Sequence, residues 1–209
     1  MKVRLVKRLY NKCSKRRIKM KTFNWIKKGL ILDNAPKLEW AQSHYQFCAV
    51  LDLDDCIRIF YTTRPIPEKD KKYTTYIRYV DVDKNDFQKV IRYGDKPVIP
   101  LGEYGCFDEF GTMPGDFLFI NGKIHMYYTG WQRLTSIPYT FSVGLAISKD
   151  NGRTFKKYSK GPVIGQTADT PLTVGSGTVL EENGIYHQYC IVGVDWITVN
   201  NKLEHTYCI

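Results

Sequence analysis

Phe117-Leu118-Phe119-Ile120-Asn121-Gly122-Lys123-Ile124-His125-Met126-Tyr127-Tyr128-Thr129-Gly130 decides the fold class. An apolar run, a two-residue Asn-Gly turn and a second run rich in aromatics make a β-hairpin, because Asn-Gly accepts the positive φ that so tight a turn demands. The same order of residue types occurs twice more. Upstream it is Val50-Leu51-Asp52-Leu53-Asp54-Asp55-Cys56-Ile57-Arg58-Ile59-Phe60-Tyr61-Thr62-Thr63, and downstream Val179-Leu180-Glu181-Glu182-Asn183-Gly184-Ile185-Tyr186-His187-Gln188-Tyr189-Cys190. A third strand is expected after the first two hairpins, at Thr75–Val82 and Ser142–Ser148. After the third hairpin it is expected only to begin, at Thr206-Tyr207-Cys208-Ile209. No long helix is supported after residue 30.

A repeat of three to four antiparallel strands every ~60 to 70 residues reads as propeller blades rather than helical or short solenoid repeats. The fold class expected is therefore all-β, a partial β-propeller of about three blades at residues 40–90, 107–160 and 170–209, within a domain spanning 22–209. Residues 1–21 form a separate basic N-terminal extension.

Charge supports that division. Residues 1–28 hold twelve Lys/Arg and no Asp/Glu, leaving nineteen Lys/Arg against twenty-one Asp/Glu over residues 29–209. The formal net charge of +10 thus belongs to the extension, and the folded part is not basic. Lys15, Arg16, Arg17, Lys19 and Lys21 are suited to touch RNA or an anionic membrane surface by charge alone. A solvated extension is the plainer reading, so nucleic acid is not expected as a partner; Met20 also offers an alternative start. Neither a secretory signal nor an apolar stretch of membrane-spanning length is evident, and a cytoplasmic protein is expected. Six scattered cysteines without a C-x-x-C pair suggest reduced thiols, with no metal and no cofactor expected.

Ser148-Lys149-Asp150-Asn151-Gly152-Arg153-Thr154-Phe155 fits the S-x-D-x-G-x-T-[WF] pattern of the Asp box, a turn between outer blade strands in sialidases and related proteins. Its Asp is expected to order the turn and its aromatic to pack between sheets. Further stretches resemble the glycosidase-like five-bladed β-propellers, the arabinanase, levansucrase, invertase and mannoside-phosphorylase relatives often encoded in bacterial surface-polysaccharide clusters. They are Trp40–Gln46, Phe107-Asp108-Glu109-Phe110-Gly111-Thr112-Met113-Pro114-Gly115, Tyr127–Trp131, Ile137-Pro138-Tyr139 with Gly144–Ser148, and Trp196-Ile197-Thr198 with Lys202–Tyr207. A full ring at this blade length needs roughly 300 residues. The resemblance implies a chain truncated after about three blades, with exposed blade edges prone to self-association.

The resemblance implies a carbohydrate ligand. Glycoside hydrolysis usually requires two carboxyl groups flanking the scissile bond. The inner-strand positions where relatives carry acids hold Gln46, Met113 and Ser176 here, so the usual catalytic set does not transfer. Asp108, expected near the axial funnel, and Glu204 are the candidate catalytic carboxylates by family position. Asp116 is a candidate substrate-binding acid, either facing the axis or hydrogen-bonding a neighbouring blade. His44, Arg64, Trp131 and Arg133 lie at strand ends or in loops and are the other substrate-binding candidates, since sugars need flat apolar faces beside hydrogen-bond donors. Each also has a structural reading, as do His125 and His187. Several functions stay open: a glycosidase; a non-catalytic carbohydrate-binding or scaffold propeller, or an inactive truncated gene product; and a basic tail acting on an inert domain.

Overall fold

The computed structural model describes residues 24–32, 35–67 and 73–209, and the expected basic extension, residues 1–21, lies outside them. Among the described residues the regular structure is β-strand, arranged in three antiparallel sheets. Blade one comprises β1 (Ser43–Asp52), β2 (Ile57–Arg64), β3 (Tyr76–Val82) and β4 (Val90–Tyr93) in spatial order. Blade two comprises β5 (Gly111–Ile120), β6 (Lys123–Arg133), β7 (Tyr139–Ser148) and the two-residue β8 (Lys156–Lys157). Blade three is β9 (Val174–Glu182), β10 (Ile185–Val199) and β11 (Lys202–Cys208). The fold is an all-β partial propeller.

The hairpins form where the turn residues allow. Asn121 and Gly122 adopt φ of 51° and 70°, and Asn183 and Gly184 adopt 54° and 75°. Both turns thus carry two consecutive residues in the left-handed region, which matches the twist of the flanking strands. Blade three departs from expectation. Its third strand begins at Lys202 rather than Thr206, and β10 runs on to Val199, because Asn200 and Asn201 (φ 50° and 60°) make another tight turn. Asn tolerates that conformation better than other non-glycine residues.

The inter-blade core explains the alternation of the strands. Leu51, Phe60, Ile77 and Tyr79 of blade one meet Phe117, Ile124, Met126, Tyr128 and Ala146 of blade two, with Val98, Ile99 and Phe107 of the connecting segment between them. Phe155 closes this core, 6.0 Å from Phe60 and 6.1 Å from Phe117 between ring centroids. The turn that delivers Phe155 is ordered by Asp150, whose carboxylate accepts from Ser148 Oγ (2.6 Å), Thr154 N (3.0 Å) and Thr154 Oγ1 (2.6 Å).

Blade three is joined to blade two by polar ties. Ser176 N donates to Thr129 Oγ1 (2.7 Å), and Ser176 Oγ donates to the Tyr127 carbonyl (3.1 Å). Val174 and Val179 of β9 are buried, whereas Leu180, Ile185, Tyr189, Ile191 and Ile197 are exposed.

Candidate functional site

The site is built where blade one meets the beginning of β5. Thr75, just before β3, forms a parallel bridge with Gly111: Thr75 N donates to the Phe110 carbonyl (3.0 Å) and Thr112 N to the Thr75 carbonyl (3.0 Å). This bridge fixes the end of β2 and the approach to β3 against the end of β6. Residues from two sheets therefore share one rim.

His44 reaches the rim through an irregularity in β1. The β1–β2 register shifts between Ser43 and Gln46 and again before Ala49, and His44 and Phe47 adopt φ of 63° and 51°. Left-handed backbone in bulged non-glycine residues is costly and re-aims side chains, and it concentrates where function requires a particular direction. Thr62 and Thr63 hold the bulge, with Thr62 Oγ1 donating to the Gln46 carbonyl (3.0 Å) and Thr63 Oγ1 to the Ser43 carbonyl (3.1 Å). The exposed His44 ring lies 5.8 Å from the ring of Tyr73. Its Nδ1 is 2.7 Å from Ser43 Oγ. Burial, and then the charge of Arg64, hold its pKa below the ordinary histidine value.

Tyr73 is the centre of the arrangement. Arg64 lies over its ring at 5.2 Å and donates from Nε to Thr75 Oγ1 (3.2 Å). Arg133 donates from Nη2 to the Tyr73 carbonyl. The Arg133 guanidinium also lies 4.2 Å from the Phe110 ring centre and 5.9 Å from that of Trp131. Trp131 keeps its place because Gly111 opposite has no side chain: a Cβ there would stand 1.7 Å from the indole Nε1. Four of the residues singled out by sequence, His44, Arg64, Trp131 and Arg133, are thus linked in one cluster through Tyr73 and Phe110.

Aromatic residues extend the rim toward blade three. Tyr139 pairs with Arg133 in register and stacks on Phe141 at 4.8 Å. It also meets Trp196 edge-on at 5.2 Å, and its hydroxyl is 3.1 Å from that of Tyr207. Trp196 and His205 stack at 4.2 Å with an interplanar angle of 9°. Tyr73, Phe110, Tyr139, Trp196, His205 and Tyr207 were not among the sequence candidates. The alternation Tyr139-Thr140-Phe141 and His205-Thr206-Tyr207 was the available signal, since such spacing puts both rings on one face of a strand.

The acids are placed elsewhere. Asp108 is 1% exposed; its Oδ2 accepts from Tyr128 Oη (2.8 Å) and pairs with Lys157 Nζ (2.6 Å) of the outermost strand β8. Its Oδ1 is buried without a hydrogen-bond partner. A cavity of about 170 Å³ adjoins it, lined also by Gly102, Glu103, Cys106 and Lys160. Burial, then the charge of Asp108, push the Tyr128 phenol well above its ordinary pKa. Glu204 is exposed on β11, opposite Ile197, in a different sheet, and does not line that cavity. The two candidate catalytic carboxylates are not brought together. Asp116 links neighbouring inner strands, accepting from Val179 N (3.0 Å) and Thr178 Oγ1 of β9. Among the described residues no cluster of three or more His, Cys, Asp or Glu is arranged to hold a metal ion, and no helix is long and apolar enough to cross a membrane.

No family model matches the chain. Two uncharacterised proteins of Mycobacterium tuberculosis, MT1551 and Rv1502, are each 25% identical over 182 residues, covering 87% of this chain and 59% of theirs. The chain therefore spans about three-fifths of the length of these relatives. Solved structures with similar folds include Zg3597, a family 117 glycoside hydrolase of Zobellia galactanivorans (TM-score 0.55, 18% identity, 85% of this chain and 50% of that one). A glycosyl hydrolase from Bacteroides ovatus gives 0.55 at 16% identity, covering 79% of this chain and 52% of that one. The β-1,2-mannobiose phosphorylase of Listeria innocua gives 0.53 at 14%, covering 78% and 43%.

Proposed function

We propose that this chain, whose fold is that of the glycosidase-type five-bladed propellers over about half their length, binds carbohydrate at the rim formed by His44, Arg64, Tyr73, Phe110, Trp131 and Arg133. The observation that carries this reading is the convergence of Arg64 and Arg133 on Tyr73 beside the faces of Phe110 and Trp131. Sugar rings stack their C–H faces on aromatics while their hydroxyls take directional hydrogen bonds, and this cluster supplies both. Bacterial surface polysaccharide is the first ligand class to screen.

Binding without hydrolysis is the leading reading, because Asp108 is enclosed by Tyr128 and Lys157 and Glu204 lies on another sheet. Paired glycosidase carboxyls stand about 5 to 9.5 Å apart across the scissile bond. A glycosidase using Asp108 and Glu204 is the second reading, favoured by the unpartnered Oδ1 of Asp108 beside a cavity.

Calorimetric titration of the 209-residue protein with a glycan panel tests both. Binding weakened about tenfold by Trp131→Ala, a loss of ~1.4 kcal/mol, and kept in Glu204→Gln is expected. Absence of any bound glycan, or binding indifferent to Trp131→Ala, would sink the proposal. Sugar release abolished by both Asp108→Asn and Glu204→Gln would instead establish the second reading.

A further inference from the structure

Arg64 and Arg133 are both half-buried, yet among the described residues neither makes an ion pair with a carboxylate. Their partners are neutral: the Thr75 hydroxyl, the Tyr73 carbonyl, and the ring faces of Tyr73, Phe110 and Trp131. Elsewhere, Arg78 also has neutral partners, the Gly94 and Pro36 carbonyls (2.7 Å each), but at 2% exposed it is closed to ligand. Arg58 and Arg92 share Asp81, with Nε–O distances of 2.7 Å each. Partly desolvated guanidinium groups whose described partners are all neutral favour a nearby anion, and their planar donor forks match carboxylate, sulfate and phosphate oxygens. His44 adds a third nitrogen-bearing group near Tyr73. The candidate acids stand outside this cluster, with Asp108 held by Tyr128 and Lys157, Asp116 bound to β9, and Glu204 on β11.

We infer that the rim takes an acidic saccharide, one whose ring carries a carboxylate, sulfate or phosphate group, with Arg64 and Arg133 on the oxyanion and Trp131 or Phe110 against the ring. This rests on the carbohydrate reading above and adds the class of sugar. The aromatic faces set the ligand apart from a free anion, and the two guanidiniums, neither paired with a carboxylate among the described residues, set it apart from a neutral glycan.

The experiment compares ligands that differ in an acidic group. The full chain is titrated with a galacturonic acid trimer and with its methyl-esterified form, then with sulfated and phosphorylated hexose oligosaccharides beside their unsubstituted parents, and with inorganic phosphate. At least one acidic member is expected to bind ten times or more tightly than its neutral counterpart. That preference is expected to disappear in Arg64→Gln and Arg133→Gln. Arg133→Lys, which keeps the charge but not the planar fork, is expected to bind at an intermediate level. Thermal melts of each variant separate lost binding from lost folding.

Equal binding of acidic and neutral members with dependence on Trp131 would overturn the acidic class and leave the carbohydrate reading standing. Inorganic phosphate binding as tightly as any saccharide, unaffected by Trp131→Ala, would overturn both. So would no binding by any saccharide.

Discussion

Arg58 and Asp81 form a two-pronged ion pair inside the protein, Nε to Oδ1 at 2.7 Å and Nη2 to Oδ2 at 2.8 Å, with both residues essentially inaccessible to solvent. The remaining Arg58 nitrogen, Nη1, donates to the Asn151 carbonyl (2.6 Å), so a charge in blade one anchors the Ser148–Phe155 turn of blade two. Removing one partner strands the other in a low-dielectric interior. Asp81→Ala is expected to destabilise the fold by about 3 to 5 kcal/mol, whereas Arg58→Met combined with Asp81→Leu recovers part of that loss, the half-exposed Arg92 still losing its carboxylate. Urea denaturation of the three variants measures it, and a double variant as unstable as the single one would mean that the pair does more than neutralise itself.

Gly111 is the second test, because its missing side chain is what admits the Trp131 indole. Gly111→Ala forces the ring aside and is expected to cost about 1 to 3 kcal/mol of stability, the range for an overpacked site. Glycan affinity is expected to fall alongside. Tryptophan fluorescence would report the displaced ring, and an unchanged spectrum with unchanged affinity would remove Trp131 from the site.

Asp108 offers a contrast between holding the fold and acting on ligand. Asp108→Ala leaves Lys157 and the Tyr128 hydroxyl without their acceptor, and a loss of about 3 to 5 kcal/mol is expected. Chemical denaturation checks it. A variant as stable as the parent would indicate that the buried pair contributes little to the fold.

His44 supplies a pH signature. Its pKa is lowered from the ordinary 6.5, first by burial and then by the Arg64 charge, so the neutral ring is favoured in the free protein. Because the folded value lies below the unfolded one, its contribution to stability is complete above the ordinary histidine pKa and is lost as pH falls through the folded value. A bound oxyanion near Arg64 reverses the second cause and raises the pKa. NMR titration of the His44 ring with and without an acidic saccharide is expected to show an upward shift, and a fixed value would place the anion elsewhere.

The hairpins were readable because Asn-Gly turns and alternating apolar residues are local signals, and they led to the three sheets. The end of blade three escapes the same signal, because the turn there uses Asn200-Asn201, which lacks the glycine of the Asn121-Gly122 and Asn183-Gly184 turns. His44, Arg64, Trp131 and Arg133 could be picked out singly from positions at strand ends. Their convergence on Tyr73 could not, since it depends on the Thr75–Gly111 bridge between sheets and on a bulge in β1 that no local pattern announces. Asp116 shows the converse. The tie to Val179 and Thr178 was one of two open orientations, and only the packing of β9 beside β5 distinguishes them.

Mapping the ligand onto the protein tests the central proposal most directly. In heteronuclear NMR of the full chain titrated with a bound oligosaccharide, chemical-shift changes are expected to concentrate at His44, Arg64, Tyr73, Phe110, Trp131 and Arg133. Changes confined to the Asp108–Lys157 cavity or the exposed face of blade three, or none at saturating sugar, would contradict it.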